Sequence, residues 1–264
     1  MFGSQTLVAT LLNLRWRMHI SPVGRKEIAT IGILAWMRYK HSQPKTVMKI
    51  RIGGTKLKVR SRTHDLEVAM TSHGGELDSL EGLLPREFAG TVIDAGGYIG
   101  TASLALRRLF PRAKIVCIEP SSENLKILRY NLRNETNLEI IHGALMGQSG
   151  DVQLSDRGTG EWGYSASPLA DSSRLKTELL ETVPGLSLSD LDVGSENVGV
   201  LKLDIEGGEM GLLTDDKKGL NQIPIIIAEL HDDVVPGCSE AFFGLSASRQ
   251  LVATPGEKWL SLSR

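Results

Sequence analysis

Several things are scarce in this sequence, and each absence narrows what the chain can be. Among 264 residues there are two cysteines, Cys117 and Cys238, without Cys-x-x-Cys spacing. That leaves neither a disulfide framework nor a thiolate zinc site, and Cys117, inside an apolar run, is expected in the core. No apolar run approaches the roughly 20 residues that span a bilayer. No secretory segment with a small-residue cleavage site is visible, so a soluble, cytoplasmic chain is expected. Aromatic residues make up 5%, and they do not interleave with basic residues through the body of the chain, so no nucleic-acid partner is expected. The glycine-rich turn at residues 96–100 lacks the Gly-Lys-Ser/Thr ending of a phosphate loop, which argues against ATP or GTP. Acids are nearly missing from the first 60 residues, where Glu27 stands against twelve Lys and Arg. The balance there is +11, so the remaining 204 residues carry −12. Such asymmetry can signal an anionic partner.

What is present is an ordinary globular composition, 41% hydrophobic and 23% charged, enough for one large domain with an appendage. Residues 1–45 read as a basic helical arm. Its first helix is expected over residues 2–18 and a second apolar segment over Ile28 to Met37, with a break at Ser21-Pro22-Val23-Gly24. The arm can pack on the main domain or a second subunit. As a basic, Trp-bearing segment it can also lie on an anionic membrane surface. The domain proper is expected over residues 46–264. It opens with a hairpin at residues 48–60, whose alternating pattern turns at Gly53-Gly54. The Lys and Arg on one face of that hairpin read most simply as a charged edge that discourages sheet pairing.

The centre of the chain is Thr91-Val92-Ile93-Asp94-Ala95-Gly96-Gly97-Tyr98-Ile99-Gly100, followed by Thr101-Ala102-Ser103-Leu104. This reads as a buried strand, a glycine turn and the first turn of a helix. Glycines let backbone approach a ligand, and the helix start offers free N–H groups. Asp94, at the strand's end, can meet a ligand ammonium. The next strand, Lys114 to Glu119, ends in an acid 19 residues after Gly100. An acid there accepts hydrogen bonds from ribose hydroxyls, so any adenosine cofactor fits, NAD included. From Val92 onward strands and helices alternate, which predicts a parallel sheet covered by helices. Leu138 to Leu145 reads as the third strand, with Ala144 near the expected adenine. Residues 147–197 look irregular, and Trp162 and Tyr164 there can wall a substrate pocket or form a satellite cluster.

Acids gather again farther on. The fourth strand, Val198 to Leu203, closes with Asp204-Ile205-Glu206-Gly207-Gly208-Glu209, and the fifth, Pro224 to Ala228, with Glu229-Leu230-His231-Asp232-Asp233. Helix capping accounts for some of these carboxylates. Asp204 stands where open α/β sheets place their ligands. Residues 251–262, with Pro255-Gly256 between two apolar stretches, suggest a closing hairpin.

These segments together resemble the FkbM family of S-adenosylmethionine-dependent methyltransferases. The likeness rests on Val92 to Gly100, on Ile118-Glu119-Pro120 with Asn124, on Leu201-Lys202-Leu203-Asp204-Ile205-Glu206-Gly207-Gly208-Glu209 and on Ile226 to Asp232, and it covers roughly residues 45–245. Many members read Asp-x-Gly-Ala-Asn-x-Gly in the turn; Gly97 and Tyr98 take the Ala and Asn positions here. The resemblance implies an α/β class I methyltransferase (Rossmann-like) fold, a seven-stranded sheet with one antiparallel strand. It implies methyl transfer to a hydroxyl of a sugar, glycolipid or secondary metabolite. Asp94, Gly96 and Gly100 would then hold the methionine part of the cofactor and Glu119 its ribose, with Gly97, Tyr98 and Ala144 also expected to bind the cofactor. Asp204 is the first candidate for the base that removes the acceptor's proton and His231 the second, with Glu206, Glu229, Trp162 and Tyr164 around the acceptor. Magnesium or manganese held by these acids and His231 is the rival mechanism, and metal-free base catalysis is preferred to it. An NAD-type oxidoreductase and a catalytically silent binding module of the same fold stay open as alternatives.

Overall fold

The computed structural model describes residues 20–167, 178–193, 197–245, 247–255 and 258–263. The helix expected over residues 2–18 lies outside them. The chain divides into two compact units, Met1–Leu66 and Glu67–Arg264. The boundary therefore falls after the hairpin rather than at residue 45, and the hairpin belongs to the first unit.

In the first unit, helix α1 (Pro22–Ile31) starts at a serine cap, with Pro22 in the first turn and the Gly24 N–H donating to Ser21 Oγ at 3.1 Å. Gly32, at φ +82°, ends it, and α2 (Ile33–His41) follows, so the expected second apolar segment is two short helices. Glu27 ties them together. It accepts from Trp36 Nε1 at 2.7 Å and from Lys40 Nζ at 2.9 Å. Strands β1 (Val47–Ile52) and β2 (Thr55–Arg60) form the expected hairpin, turned by Gly53 and Gly54 at positive φ. Its inner face buries Met48, Ile50, Ile52, Leu57 and Val59. Its register sets Lys49 opposite Lys58 and Arg51 opposite Lys56. Arg60 is buried against Asp65, with Nη2 to Oδ1 at 2.9 Å and Nε to Oδ2 at 3.0 Å.

Helix α3 (Asp65–His73) leads into the second unit. There the chain alternates β3 (Thr91–Ala95), α4 (Thr101–Leu109), β4 (Lys114–Glu119), α5 (Ser122–Asn131), β5 (Leu138–His142), and later β10 (Val198–Leu203), α6 (Glu209–Asp215), α7 (Lys217–Gln222), β11 (Ile225–Glu229), α8 (Cys238–Phe243), β12 (Arg249–Ala253) and β13 (Lys258–Ser263). The sheet order is β12-β13-β11-β10-β3-β4-β5. β5, β4, β3, β10 and β11 are parallel, and β13 runs against both its neighbours. Both faces are covered. Ile93, Val116, Leu201 and Ile226 pack with Leu212 and Phe242 on one side; Val92, Ile115, Val200 and Ile227 pack with Leu106 and Phe110 on the other. Two-sided burial is why these strands read as continuous apolar runs.

The expected third strand is split. β5 pairs with β4 as far as His142. After Gly143 the chain leaves for a second sheet of four strands, β6 (Ala144–Leu145), β7 (Gly150–Asp156), β8 (Tyr164–Ser165) and β9 (Glu178–Leu186), in the order β6-β9-β7-β8. The stretch expected to be irregular thus holds most of this flap.

Candidate active site at the carboxyl ends of the strands

The turn after β3 is built for close approach. Gly96 has φ +83° and Gly100 φ +84°. A Cβ on Gly96 would stand 1.8 Å from the Asp204 carbonyl oxygen, and one on Gly97 would stand 2.3 Å from Cys117 Sγ. The turn is pressed between the ends of β10 and β4, and the Gly96 and Gly97 N–H groups both donate to the Ile118 carbonyl at 3.0 Å. Tyr98 is left-handed at φ +48°. That conformation costs a non-glycine residue about 1–2 kcal/mol and suits asparagine better.

Beneath the turn, Asp94 is fully buried. Ser103 Oγ donates to its Oδ2 at 2.6 Å and Lys202 Nζ lies 3.1 Å from its Oδ1. The strand register sets Lys202 beside Asp94. Lys202 also donates to the Gly96 carbonyl at 3.1 Å and lies 3.5 Å from Asp204 Oδ2. Burial works against its charge, but Asp94 and Asp204 more than offset that and push its pKa up. This lysine therefore fastens the glycine turn to the acids of β10. At the end of β4, Glu119 is 3% exposed and accepts from the Tyr98 N–H at 2.7 Å, the Ser121 N–H at 2.9 Å and Asn124 Nδ2 at 3.1 Å. Burial outweighs these bonds and lifts its pKa to about 7.

The second half of the site follows β10 and β11. Glu206 (φ +52°) and Gly207 (φ +94°) make a left-handed corner. Glu209 holds it from within, accepting from the Ile205 N–H at 2.9 Å and the Gly207 N–H at 2.8 Å. Glu209 Oε1 also lies 3.0 Å from His231 Nδ1. Arg157, from the flap, pairs with Glu206 Oε2 at 2.8 Å, and Ser165 Oγ donates to the Glu206 carbonyl at 2.6 Å. Burial raises the Glu206 carboxyl to about 7. Burial would also raise Asp204, but Lys202, Lys258 and His231 hold it down to about 2. Burial would lower His231, yet Glu209, Glu206 and Asp204 raise it to about 10. Lys258 bonds Glu229 and lies 2.9 Å from Glu76 and 3.9 Å from Asp204.

One cleft joins the two halves. Gly96, Gly97, Tyr98, Glu119 and Ala144 line one end. Asp204, Glu206 and Glu229 line the other, and Trp162 and Tyr164 of the flap line the same cleft. Asp94, Gly100 and His231 stand behind this lining and support it through Lys202, the start of α4 and Glu209. Lys202, Arg157, Glu209 and Lys258 escaped the sequence reading as site residues. Lys202 had a signal, a charge inside an otherwise apolar strand, and Glu209 stood in the acid cluster after it. Carboxylates outnumber cations around the cleft, which favours a positively charged ligand.

A parallel sheet in this order, with a reversed strand next to one edge and a glycine turn facing an acid across the first two strands, defines a class I methyltransferase, an enzyme class that works with S-adenosylmethionine. The methyltransferase FkbM domain profile matches residues 94–241, more than half of the chain, and the protein belongs to that family. A comparison with curated proteins returns no match. Similar solved structures include a precorrin-6y C5,15-methyltransferase from Geobacter metallireducens, 14% identical over 76% of this chain and 88% of that one, with a TM-score of 0.42. A putative caffeoyl-CoA O-methyltransferase from Staphylococcus aureus is 10% identical over 72% and 83%, with a TM-score of 0.43. Aeropyrum pernix fibrillarin, which holds S-adenosylmethionine, is 10% identical over 84% of both chains, with a TM-score of 0.38.

Proposed function

We propose that this methyltransferase methylates a hydroxyl oxygen of a small-molecule or glycan acceptor. The observation that carries the reading is the continuity of one cleft from the Gly96–Gly97 cradle and Glu119 to the carboxylates of Asp204, Glu206 and Glu229. The first end fits S-adenosylmethionine. Its glycines admit no Cβ, it has no lysine-bearing phosphate loop, and the buried Glu119 carboxylate can accept ribose hydroxyls. The cofactor supplies a methyl group made electrophilic by a sulfonium.

The chain's own residues do the rest. Gly96 and Gly97 bring backbone close to the ligand, and Lys202 keeps that turn at a fixed distance from Asp204. Asp204, on the cleft wall, accepts the acceptor's hydrogen bond and then its proton. His231 Nε2 stands 4.0 Å behind Asp204 Oδ1; with its pKa raised to about 10 it keeps its own proton near neutral pH and steadies the Asp204 charge, so it gives way to Asp204 as the base. Trp162 and Tyr164 offer flat faces to a ring, and Glu206 and Glu229 offer oxygens to its other hydroxyls.

Calorimetry with S-adenosylhomocysteine and with NAD tests the cofactor half. The first should bind and the second should not, and Glu119→Ala should weaken binding by about 1.5–3 kcal/mol. For the acceptor half, the protein is given S-adenosylmethionine with sugars, glycolipids and small-molecule extracts, and products that gain one methyl group are sought by mass spectrometry. Asp204→Asn should abolish that gain and leave homocysteine-product affinity nearly unchanged. Full turnover in Asp204→Asn would refute the assignment.

A further inference from the structure

The groups around His231 divide their oxygens in a particular way. Each neighbouring carboxylate spends one oxygen on a cation of the chain. Asp204 Oδ2 faces Lys202 and Lys258 at 3.5 and 3.9 Å, and Glu206 Oε2 faces Arg157 at 2.8 Å. The other oxygens, Asp204 Oδ1 and Glu206 Oε1, point to His231 Nε2 at 4.0 and 3.6 Å. Glu229 Oε1 lies on the same nitrogen at 3.9 Å. None of these separations is a hydrogen bond. Yet His231 is only 7% exposed, and its other nitrogen is already committed to the fully buried Glu209. A more than nine-tenths buried imidazole thus aims a nitrogen without a hydrogen bond at a cluster of carboxylate oxygens.

We infer that Asp204, Glu206 and His231 bind a divalent first-row cation through Oδ1, Oε1 and Nε2. Each of the three residues offers a ligand atom within 4.8 Å of the others. Donors sharing an ion at about 2.1 Å stand roughly 3–4 Å apart, so the donors would close by about 1–2 Å at most on binding. One imidazole and two carboxylates suit manganese(II) or a similar borderline-hard ion, and leave positions open on the cleft side. Glu209 supplies what such a site needs behind its ligand. A carboxylate on Nδ1–H holds the ring in place, so that Nε2 turns its lone pair to the ion once the ion displaces the proton that the surrounding carboxylates favour there. The corner that presents Glu206 is fixed by the same carboxylate through the Ile205 and Gly207 N–H groups. The use of the ion rests on the O-methylation reading: with Asp204 engaged as a ligand, an acceptor hydroxyl bound to the ion would lose its proton more readily, to Glu229 on the cleft wall in place of Asp204. The binding itself does not depend on that reading.

The test is a titration of the full chain with manganese(II) alone, followed by electron paramagnetic resonance. S-adenosylhomocysteine affinity is measured on the same samples. One manganese per chain is expected, with spin-echo modulation from a coordinated imidazole nitrogen. His231→Gln should abolish the modulation, and it and Asp204→Asn should each weaken manganese binding about tenfold or more. His41→Gln, at the exposed end of α2, should change nothing. Manganese binding no tighter in the wild type than in Asp204→Asn, or nitrogen modulation that survives in His231→Gln, overturns the site. Should His231→Gln fail to fold by circular dichroism, the isosteric Asp204→Asn decides alone. A chain that binds the homocysteine product but no manganese overturns the metal site and leaves the methyltransferase reading standing. The reverse outcome overturns that reading and upholds the metal site.

Discussion

Glu119 shows how one carboxyl couples the cofactor end of the cleft to pH. Its folded-state pKa of about 7 lies above the ordinary 4.5, because burial opposes its charge. A raised carboxyl favours the folded state while protonated. That contribution is complete below about pH 4.5 and is lost as pH rises through about 7, a change on the order of 3 kcal/mol. Hydroxyl donors from a bound ribose act the other way, since they favour the ionised form. Affinity for S-adenosylhomocysteine should therefore rise between about pH 5.5 and 7.5, and Glu119→Gln should bind weakly with a flat profile. A flat profile in the wild type would remove Glu119 from the ribose site. Glycine offers a second residue-level contrast. Gly96 and Gly158 share a φ near +84°, but an added Cβ meets the Asp204 carbonyl at Gly96 and open space at Gly158. Gly158→Ala should cost about 1 kcal/mol, the backbone penalty alone. Gly96→Ala should cost at least about 2 kcal/mol more, because backbone must move. Urea unfolding of the two variants measures the difference.

Among elements, what was legible followed from burial. β3, β4, β10 and β11 show as apolar runs because helices cover both faces, and their ends carry the glycines and acids that make the site. The closing pair β12 and β13 shows through two apolar stretches with Pro255-Gly256 between them in the sequence. The flap did not show. β9 is exposed at most of its positions, so little apolar periodicity marks it, and Arg157 reaches Glu206 only through folding at long range. The partner of Asp94 was hidden for a related reason. The register that sets Lys202 beside it is a property of two strands, not of either sequence. The flap yields its own prediction. It is held by Arg157 on Glu206, by the Ser122 N–H on Glu181 at 2.8 Å and by Asn124 Nδ2 on the Glu161 carbonyl at 3.0 Å. Arg157→Met removes a buried charged hydrogen bond from Glu206 and leaves it His231 alone, a change that costs about 1.5–3 kcal/mol. Amide exchange should quicken in β7 and β8 and stay slow in β3 and β4. Uniform protection across all four strands would show that Arg157 does not hold the flap.

At the scale of the whole chain, the charge imbalance asks for a partner. The hairpin of the first unit sets Lys49 opposite Lys58 and Arg51 opposite Lys56. Like charges directly opposite on one face destabilise a strand pair by a few tenths to about 1 kcal/mol each. A charged edge that merely resists sheet pairing would not need two such pairs side by side. The same unit leaves apolar side chains in water, Leu34 at 81% and Val23 at 65% exposed, with Ile33 and Met37 near 40%. Basic groups and exposed apolar ones in one unit are the combination that binds the surface of an anionic bilayer. No described helix is long and apolar enough to cross one. The full chain should co-sediment with vesicles rich in anionic phospholipid and not with neutral ones, and the bound fraction should fall as salt rises past about 0.15 M. Replacing Lys49 and Lys58 with Gln should weaken sedimentation several-fold while S-adenosylhomocysteine affinity holds. Sedimentation that ignores salt, or that neutral vesicles match, would rule out a role for the basic face in lipid contact.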